Sequence, residues 1–329
     1  MDLADLQALL ARIAGVRVVA VGDLMVDRFV HGAVARISAE APIPVMARQS
    51  ERVMLGAVGN VARNVAALGG EAALVGVIGK DAAGREAKDL IAAEPRIEGY
   101  LITDPERPTT IKTRFVSAGQ QLLRVDEETT APIDGEVESQ LVRTLLDAAR
   151  GARAILVSDY GKGVVTPAVI AAARQAAARE GAMLIVDSKA RSFARYGAVD
   201  VVKPNAAELA FATDLPTDTD AEVEAALARA LELSECRSVI VTRAAKGMSV
   251  GVRGQPVVHH RRPPPEVFDT MGAGDILRGA FCYFVSIGRG FVESLADAAN
   301  IASESCRSRG TREWMKAQPA LNLSPDPSQ

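Results

Sequence analysis

The sequence predicts an α/β fold with a mostly parallel central sheet. Short apolar runs bounded by turn residues recur along the chain, and Ala-rich amphipathic stretches lie between several of them. Strands of a parallel sheet are buried on both faces, so they read as continuous apolar runs, and the connecting helices cover the sheet on both sides. We therefore expect a ligand crevice at the carboxyl ends of the strands.

The individual elements follow from these runs. Buried strands are predicted at residues 18–21, 73–78, 154–158, 183–187, 201–203 and 238–242. Amphipathic helices are predicted at residues 136–150, 167–180 and 221–233.

Two segments do not follow this alternation. Residues 29–49 contain two prolines, and apolar and polar residues alternate within 109–125. Both patterns indicate antiparallel strands that stand apart from the parallel sheet. The two segments form either a small β-sheet lid over the crevice or edge strands of the main sheet.

Composition sets the domain organisation. With 329 residues, of which 48% are hydrophobic and 24% charged, the chain can bury a large core as one α/β domain or as a domain with an appendage. We assign residues 1–316 to a single domain that includes both lid segments. Residues 317–329 are rich in Pro, Ser and Asp, which predicts a disordered tail.

Charge and cysteine usage exclude several functional classes. The net charge is -3 with both signs interspersed, whereas binding to a nucleic-acid backbone needs a basic field. No stretch is apolar for long enough to span a bilayer, so we expect a cytoplasmic protein without a membrane partner. The three cysteines are scattered, which fits a reduced compartment and gives no zinc motif.

The sharpest chemical signal is the octet FDTMGAGD at residues 268–275, which precedes an apolar run at helical spacing. Gly272 and Gly274 permit a tight turn, and a helix that starts there would direct free N–H groups at a phosphate. Asp275, in the first helical turn, could then accept a proton from an attacking hydroxyl. The alternative is an ordinary turn in which Asp275 only caps the helix.

This octet resembles the C-terminal signature of the ribokinase/PfkB carbohydrate kinases. The resemblance implies a ribokinase-like fold with a β-sheet lid. It implies that Gly272, Ala273 and Gly274 form an anion hole, that Asp275 is the catalytic base, and that Asp269 belongs to the nucleotide site.

Two N-terminal stretches extend the resemblance. Residues 21–28 look like the family's opening strand with its sugar-binding carboxylate, which implies that Asp27 binds sugar hydroxyls. Residues 56–64 resemble the N-terminal signature, which implies sugar contacts from Gly56 and Asn60. Ala57 replaces the second glycine of that signature. Without the resemblance, Asp27 reads as a loop residue and Asn60 as a helix cap.

The nucleotide side is indicated by residues 203–208, which match the family's Asn-x-x-Glu motif. The match implies that Asn205 and Glu208 serve Mg²⁺ and the phosphates of ATP, with Glu208 acting on the metal through water. Asn205 and Glu208 equally fit a capping box. Thr242 and Gly247 resemble the family's ATP contacts. A monovalent cation remains an open possibility.

Four further stretches, 36–45, 110–114, 120–126 and 158–163, closely resemble the D-glycero-D-manno-heptose 7-phosphate kinases of lipopolysaccharide precursor synthesis. That resemblance implies phosphorylation of the anomeric hydroxyl of a sugar phosphate. A bound phosphate needs fixed cations, and the candidates are Lys112, Arg114, Arg124 and Lys162. Each could instead be an exposed basic residue.

Alternatives to a heptose phosphate kinase stay open. Residues 187–190, 275–282 and 303–310 fit the heptose kinases less well and allow another sugar, sugar acid or nucleoside as substrate. A non-catalytic sugar-phosphate-binding protein is the alternative from another class. Partly covered apolar residues in the lid segments predict a homodimer through the lid, as the resemblance also implies.

Overall fold

The computed structural model describes residues 15–261 and Ala298. Its strands, in chain order, are β1 (Arg17–Gly22), β2 (Leu24–Ile37), β3 (Pro44–Ala57), β4 (Glu71–Gly79), β5 (Ile97–Asp104), β6 (Thr110–Ser117), β7 (Gln120–Glu127), β8 (Ala154–Asp159), β9 (Met183–Ser188), β10 (Val201–Val202), β11 (Ser238–Thr242), β12 (Met248–Val252) and β13 (Val258–His260). Its helices are α1 (Val58–Ala67), α2 (Ala82–Ala92), α3 (Gly135–Ala148), α4 (Pro167–Glu180), α5 (Ala206–Thr213) and α6 (Asp220–Glu232).

The main sheet has nine strands in the order β13-β12-β11-β10-β9-β8-β1-β4-β5. Neighbouring strands are parallel from β5 to β11, whereas β12 is antiparallel to β11 and β13 is antiparallel to β12. The mostly parallel sheet and the six predicted strands are therefore confirmed, with bounds that differ by a few residues.

The core lies on both faces of this sheet. Within β1, Val18 and Ala20 pack into a cluster with α1 and α2, whereas Val19 and Val21 pack into a second cluster with the four later helices. All four side chains are fully buried. Because both faces of the strand are covered, no position along it favours a polar residue, and the sequence there is continuously apolar.

The lid segments form a separate sheet of four strands in the order β3-β2-β6-β7. The β2–β3 and β6–β7 pairs are antiparallel, and β2 and β6 are parallel. This arrangement confirms a small second sheet and excludes edge strands of the main sheet. Pro44 is the first residue of β3, where a strand tolerates the missing N–H.

Two strands of the lid leave the main body at one point. The chain passes from β1 to β2 through the single residue Asp23, and Leu24 at the start of β2 pairs with Ala57 at the end of β3. The lid therefore begins at residue 24 and ends its second strand at residue 57, beyond the predicted limits of 29–49.

Some predictions fall outside the described residues, namely the octet 268–275, the stretch 303–310 and the tail 317–329. The domain extent of 1–316 therefore stays a prediction. Across the described residues, no helix has both the length and the apolar content that a membrane span requires.

Candidate active site

Polar side chains line up across three strands on one face of the lid. Asp27 of β2 pairs in register with Lys112 of β6, which pairs with Asp126 of β7. The Lys112 ammonium donates to Asp126 Oδ2 at 2.8 Å, and Arg114 Nη1 donates to Asp27 Oδ1 at 2.5 Å. The sequence-predicted sugar ligand Asp27 therefore lies beside two of the predicted phosphate-binding cations.

Gly56 makes room for the Asp27 carboxylate. A Cβ atom at Gly56 would lie 2.2 Å from Asp27 Oδ2, which is far inside van der Waals contact. Asn60, the third predicted sugar residue of this region, lies buried in the first turn of α1. Thus Asp27 and Gly56 are in direct contact, and Asn60 follows four residues after Gly56, which is the next-to-last residue of β3.

Ala57 adopts a backbone conformation that favours glycine. Its dihedral angles are φ 48° and ψ −123°, and it is the N-cap of α1 without a side-chain capping bond. An L-residue with a Cβ atom is strained there, whereas glycine is not. The substitution noted in the sequence has therefore kept the glycine-type backbone, and the close approach at Gly56 is retained.

The predicted phosphate cations Lys112 and Lys162 meet at Glu128. Lys162 Nζ donates to Glu128 Oε1 at 2.6 Å, and Lys112 Nζ donates to Glu128 Oε2 at 3.0 Å. Burial alone would raise the pKa of Glu128, but the hydrogen bonds from Lys162 and Lys112 outweigh it and lower that pKa. The carboxylate is therefore ionised between two ammonium groups.

Arg124 lies at the outer edge of this arrangement. Its guanidinium donates to Asp126 Oδ1 at 2.9 Å, but about half of its side chain is exposed (48%), against 13% for Lys112 and 17% for Lys162. The structure thus brings Lys112, Arg114 and Lys162 together and leaves Arg124 at the rim.

Loop 160–164, which carries Lys162, is anchored by Asp23. The buried Asp23 carboxylate accepts hydrogen bonds from the backbone N–H groups of Tyr160, Lys162 and Val164 at 2.7–3.2 Å. Burial and the nearby Asp159 charge raise the pKa of Asp23, while the three amide donors oppose that rise. Asp23 therefore fixes the backbone of Lys162.

A second buried carboxylate continues this network at the end of β8. Asp159 Oδ2 accepts from the Tyr196 hydroxyl at 2.7 Å, and Ser188 lies 2.7 Å from the same hydroxyl. Burial, followed by the Asp159 charge, raises the pKa of Tyr196, so the phenol stays protonated. Arg195 completes the pairing of Asp159 at 3.1 Å.

On the predicted nucleotide side, Asn205 and Glu208 form a capping box at the start of α5. Asn205 N–H donates to Glu208 Oε2 at 2.8 Å, and Glu208 N–H donates to Asn205 Oδ1 at 2.9 Å. The second carboxylate oxygen of Glu208 holds the ammonium of Lys189. One oxygen is thus anchored and the other accepts a cation, so this residue fits a role beside hydrated Mg²⁺.

Thr242 and Gly247 lie at the end of β11, next to Asn205. Thr242 N–H donates to Pro204 O at 3.2 Å, and Asn205 and Thr242 form a parallel bridge. Gly247 has φ 80°, and a Cβ atom there would lie 2.2 Å from His260 O, so the turn requires glycine.

A cavity of about 510 Å³ opens beside this turn. It is lined by the start of α6 and by Arg243, Lys246 and Arg261. Its volume lies in the range of small-molecule sites.

The predicted anion hole and base, Gly272, Ala273, Gly274 and Asp275, lie outside the described residues, as does Asp269. Their roles stay predictions.

Three residues of the site were missed by the sequence reasoning: Asp23, Glu128 and Lys189. Asp23 carried a usable signal, because it directly follows β1, whereas Asp27, which was assigned to the end of that strand, lies within β2. Glu128 and Lys189 pair with residues at least 16 positions away, so local sequence gave no sign of their contacts.

Curated proteins that are similar to the chain include two bifunctional proteins of the same name. The chain is 44% identical over 297 residues to the bifunctional protein HldE of Hyphomonas neptunium, covering 90% of this chain and 60% of that protein. It is 44% identical over 291 residues to the protein of the same name from Caulobacter vibrioides, covering 88% and 59%. The chain thus spans about 60% of the length of these relatives.

Solved structures share the fold. Arabidopsis thaliana ribokinase, complexed with ribose and ATP, superposes with a TM-score of 0.71 at 22% identity, covering 94% of this chain and all of that one. Phosphofructokinase-2 from Escherichia coli, in its tetrameric inhibited form, gives 0.74 at 20% identity, covering 92% and 97%.

A family model described as pfkB family carbohydrate kinase matches residues 16–318. That match spans most of the chain, and it agrees with a mostly parallel main sheet and a separate lid sheet. The chain belongs to the pfkB family of carbohydrate kinases, and it is a phosphotransferase with an alcohol group as acceptor.

Proposed function

We propose that this kinase phosphorylates the anomeric hydroxyl of D-glycero-D-manno-heptose 7-phosphate with ATP as donor, in the cytoplasm. The observation that carries the proposal is the convergence of Lys112 and Lys162 beside Asp27, on the face of the lid where a sugar would lie. A neutral sugar has no need of two half-buried ammonium groups, whereas a phosphate does. The similarity to bifunctional HldE proteins supports the same substrate.

In the proposed reaction, the chain contributes positioning and charge. Asp27, with the room that Gly56 leaves, orients the sugar hydroxyls, and Asn60 adds a polar contact from α1. Asp275 accepts the proton from the attacking hydroxyl, while Gly272, Ala273 and Gly274 stabilise the moving phosphoryl group. These last four assignments rest on the family motif.

Asn205, Glu208, Thr242, Gly247 and Asp269 are assigned to the nucleotide. Asn205 forms a bridge with Thr242 and a capping box with Glu208, and the cavity beside Gly247 offers space for a base. When bound, Mg²⁺ would neutralise charge on the nucleotide phosphates, and Glu208 would hold its water shell. A monovalent cation would be tested by adding K⁺ to the assay.

The substrate proposal is tested by measuring ATP turnover across a panel of sugars and sugar phosphates. Heptose 7-phosphate should show a kcat/KM well above those of unphosphorylated hexoses, ribose and nucleosides. A clear preference for a neutral sugar, sugar acid or nucleoside would favour the second candidate, a pfkB kinase with another acceptor. Absence of turnover with binding of a sugar phosphate would favour a non-catalytic binding protein.

The base assignment is tested with Asp275→Asn. We expect turnover to fall by ~10²–10⁴-fold with ATP affinity unchanged, because the variant removes only the proton acceptor. Near wild-type turnover in Asp275→Asn would contradict the assignment.

We also propose that the lid forms a homodimer. Among residues 15–261, no further strand pairs with its two outer strands, β3 and β7, and large apolar side chains on the lid are exposed. The most exposed are Ile37 (61%), Ile43 (56%) and Leu123 (56%), whereas Ile111 of the second lid segment packs into the chain's own core. Open edges and exposed apolar residues favour a two-fold contact.

Light scattering tests the assembly. A dimer mass that becomes monomeric in Ile43→Glu or Leu123→Glu supports a lid contact. A monomer with full activity would exclude it.

A further inference from the structure

Lys112 and Lys162, the proposed ligands of a substrate phosphate, already share one carboxylate. Each ammonium donates to a different oxygen of Glu128, at 3.0 and 2.6 Å. Two oxygens of a phosphate can bridge two ammonium groups in the same way. We propose that Glu128 competes with the substrate's phosphate for Lys112 and Lys162, so that the sugar phosphate binds by displacing this carboxylate. This inference rests on the proposed function.

The two lysines are held in place independently of Glu128. Lys162 is fixed through its backbone, because its N–H donates to Asp23 Oδ2 at 3.1 Å and its carbonyl accepts from Arg107 Nη2 at 2.8 Å. Lys112 lies within β6, between paired residues of β2 and β7, and keeps a second partner in Asp126. Loss of Glu128 therefore leaves the backbone of Lys162 and the Lys112–Asp126 ion pair in place.

Glu128 itself is the member that can move. It follows the last residue of β7, so its backbone is not constrained by strand pairing, and its side chain is 24% exposed. Each of its two carboxylate oxygens accepts a hydrogen bond from one of the lysines. A rotation about its side-chain bonds would carry the carboxylate into solvent and leave both ammonium groups free for another anion.

Charge balance favours the exchange. The lid cluster consists of residues linked by ion pairs or by register: Asp27, Lys112, Arg114, Arg124, Asp126, Glu128 and Lys162. Its four cations face three carboxylates, which leaves a formal excess of one positive charge. With Glu128 withdrawn the excess is two, which matches the charge of about −1.5 to −2 on a phosphate monoester at neutral pH. With Glu128 in place, the excess of one positive charge would neutralise only part of the charge on the same phosphate.

The competition also explains why the cluster is stable without an anion from outside. Two half-buried ammonium groups without a partner would be costly, and Glu128 supplies that partner. A neutral sugar would leave the pairs intact and gain nothing from them. Glu128 therefore affects the specificity for sugar phosphates over neutral sugars, because it changes the affinity for the phosphate group.

The test compares Glu128→Gln with its neighbour Glu127→Gln. Both changes remove one negative charge, but Glu127 is exposed, whereas the carboxylate that pairs with both lysines is that of Glu128. Binding of inorganic phosphate and of heptose 7-phosphate is measured by calorimetry on the full chain without nucleotide. Glu128→Gln should bind both probes about threefold to tenfold more tightly, the range expected for loss of a partly exposed competing ion pair. Glu127→Gln should bind both probes as the unchanged chain does.

A double variant locates the effect. The gain should disappear in Glu128→Gln/Lys162→Met, because the added phosphate then lacks one of its two ammonium partners. A gain that survives in the double variant would mean that phosphate binds elsewhere, and would overturn the proposal. If Glu128→Gln does not fold, Glu128→Asp serves instead, since the shorter side chain keeps the charge but reaches the lysines less well.

Two outcomes separate this inference from the proposed function. Unchanged or weaker phosphate binding in Glu128→Gln, in a chain that phosphorylates heptose 7-phosphate, overturns the competition and leaves the function standing. Tighter inorganic phosphate binding that depends on Lys162, in a chain that does not use heptose 7-phosphate, overturns the substrate and supports the competition.

Discussion

Two carboxylates, those of Asp23 and Glu128, accept hydrogen bonds from loop 160–164, and they differ in the kind of donor that holds them. Asp23 is 1% exposed and accepts from three backbone N–H groups, whereas Glu128 is 24% exposed at its side chain and accepts from two lysine side chains. Backbone donors cannot leave without unfolding the loop, but lysine ammonium groups can change partners. The first carboxylate therefore belongs to the scaffold, and the second is available for exchange with a ligand.

The largest expected effect is on stability at Asp23. Asp23→Ala removes the acceptor of three N–H groups in a buried place, so we expect the free energy of unfolding to fall by about 2–4 kcal/mol. Glu128→Ala should lower it by less than ~1 kcal/mol, because partly exposed ion pairs contribute little. Chemical denaturation measures both. Equal losses in the two variants would contradict the distinction between scaffold and exchangeable carboxylates.

A smaller effect, an increase in stability, is expected at Ala57, where β3 ends and the lid joins the main body. Ala57→Gly should raise the free energy of unfolding by about 1 kcal/mol, because it relieves the strain at φ 48°. Ala171→Gly is the matched control: it makes the same change at an exposed position inside α4 and should lower stability by about 1 kcal/mol. Denaturation curves that shift in the same direction for both variants would contradict the strain at Ala57.

The smallest effect concerns pH. Hydrogen bonds from lysines lower the pKa of Glu128, and hydrogen bonds from Lys112 and Arg124 likewise lower that of Asp126, in each case against the opposing effect of burial. A carboxyl group with a lowered pKa in the folded state stabilises the fold above its unfolded pKa, near 4, and loses that contribution as the pH falls through its folded pKa.

The contribution of Asp23 to stability changes with pH in the opposite direction, because the pKa of Asp23 is raised in the folded state. Ionisation of Asp23 therefore costs stability as the pH rises above its unfolded pKa.

The variant Glu128→Gln removes a carboxyl group whose pKa is lowered. Its free energy of unfolding, measured between pH 3 and pH 6, should therefore fall less steeply towards acid than that of the unchanged chain, by less than ~1 kcal/mol over the range. Glu127→Gln should retain the original slope. An identical slope in Glu128→Gln would mean that its carboxylate is not stabilised by the lysines.

Most of the fold could be predicted from the sequence, because its signals are local. The bounds of α4 match the prediction, 167–180, since Thr166 caps the helix, Pro167 begins it and Gly181 ends it in a left-handed conformation. For α1, the alternative interpretation of Asn60 as the helix cap was wrong, because the helix begins at Val58 and its N-cap, Ala57, provides no side-chain cap to mark that start. The lid segment was predicted to start too late, at residue 29 instead of 24, because Asp23 alone separates β1 from β2 and the apolar run continues after it.

The site was less predictable for a physical reason. Motifs identified Asp27, Lys112 and Lys162, but they did not show which charges pair. That Lys162 meets Glu128, 34 positions earlier, depends on the docking of the lid against the main sheet. Asp23 was passed over because a capping carboxylate and a sugar-binding carboxylate look alike in a sequence.

The lid joins the main body where β2 begins and β3 ends, so a rotation at this junction would displace the far end of both strands most. β2 has 14 residues, which at ~3.3 Å per residue makes an arm of about 45 Å. A rotation of about 10° at the pivot formed by Leu24 and Ala57 would move the far end of that arm by roughly 8 Å, while residues near the pivot, such as Asp27, would move by less than ~2 Å. A small backbone change at Ala57 would thus move Asp27 little and would mainly displace the exposed far end of the lid, near Ile37 and Ile43.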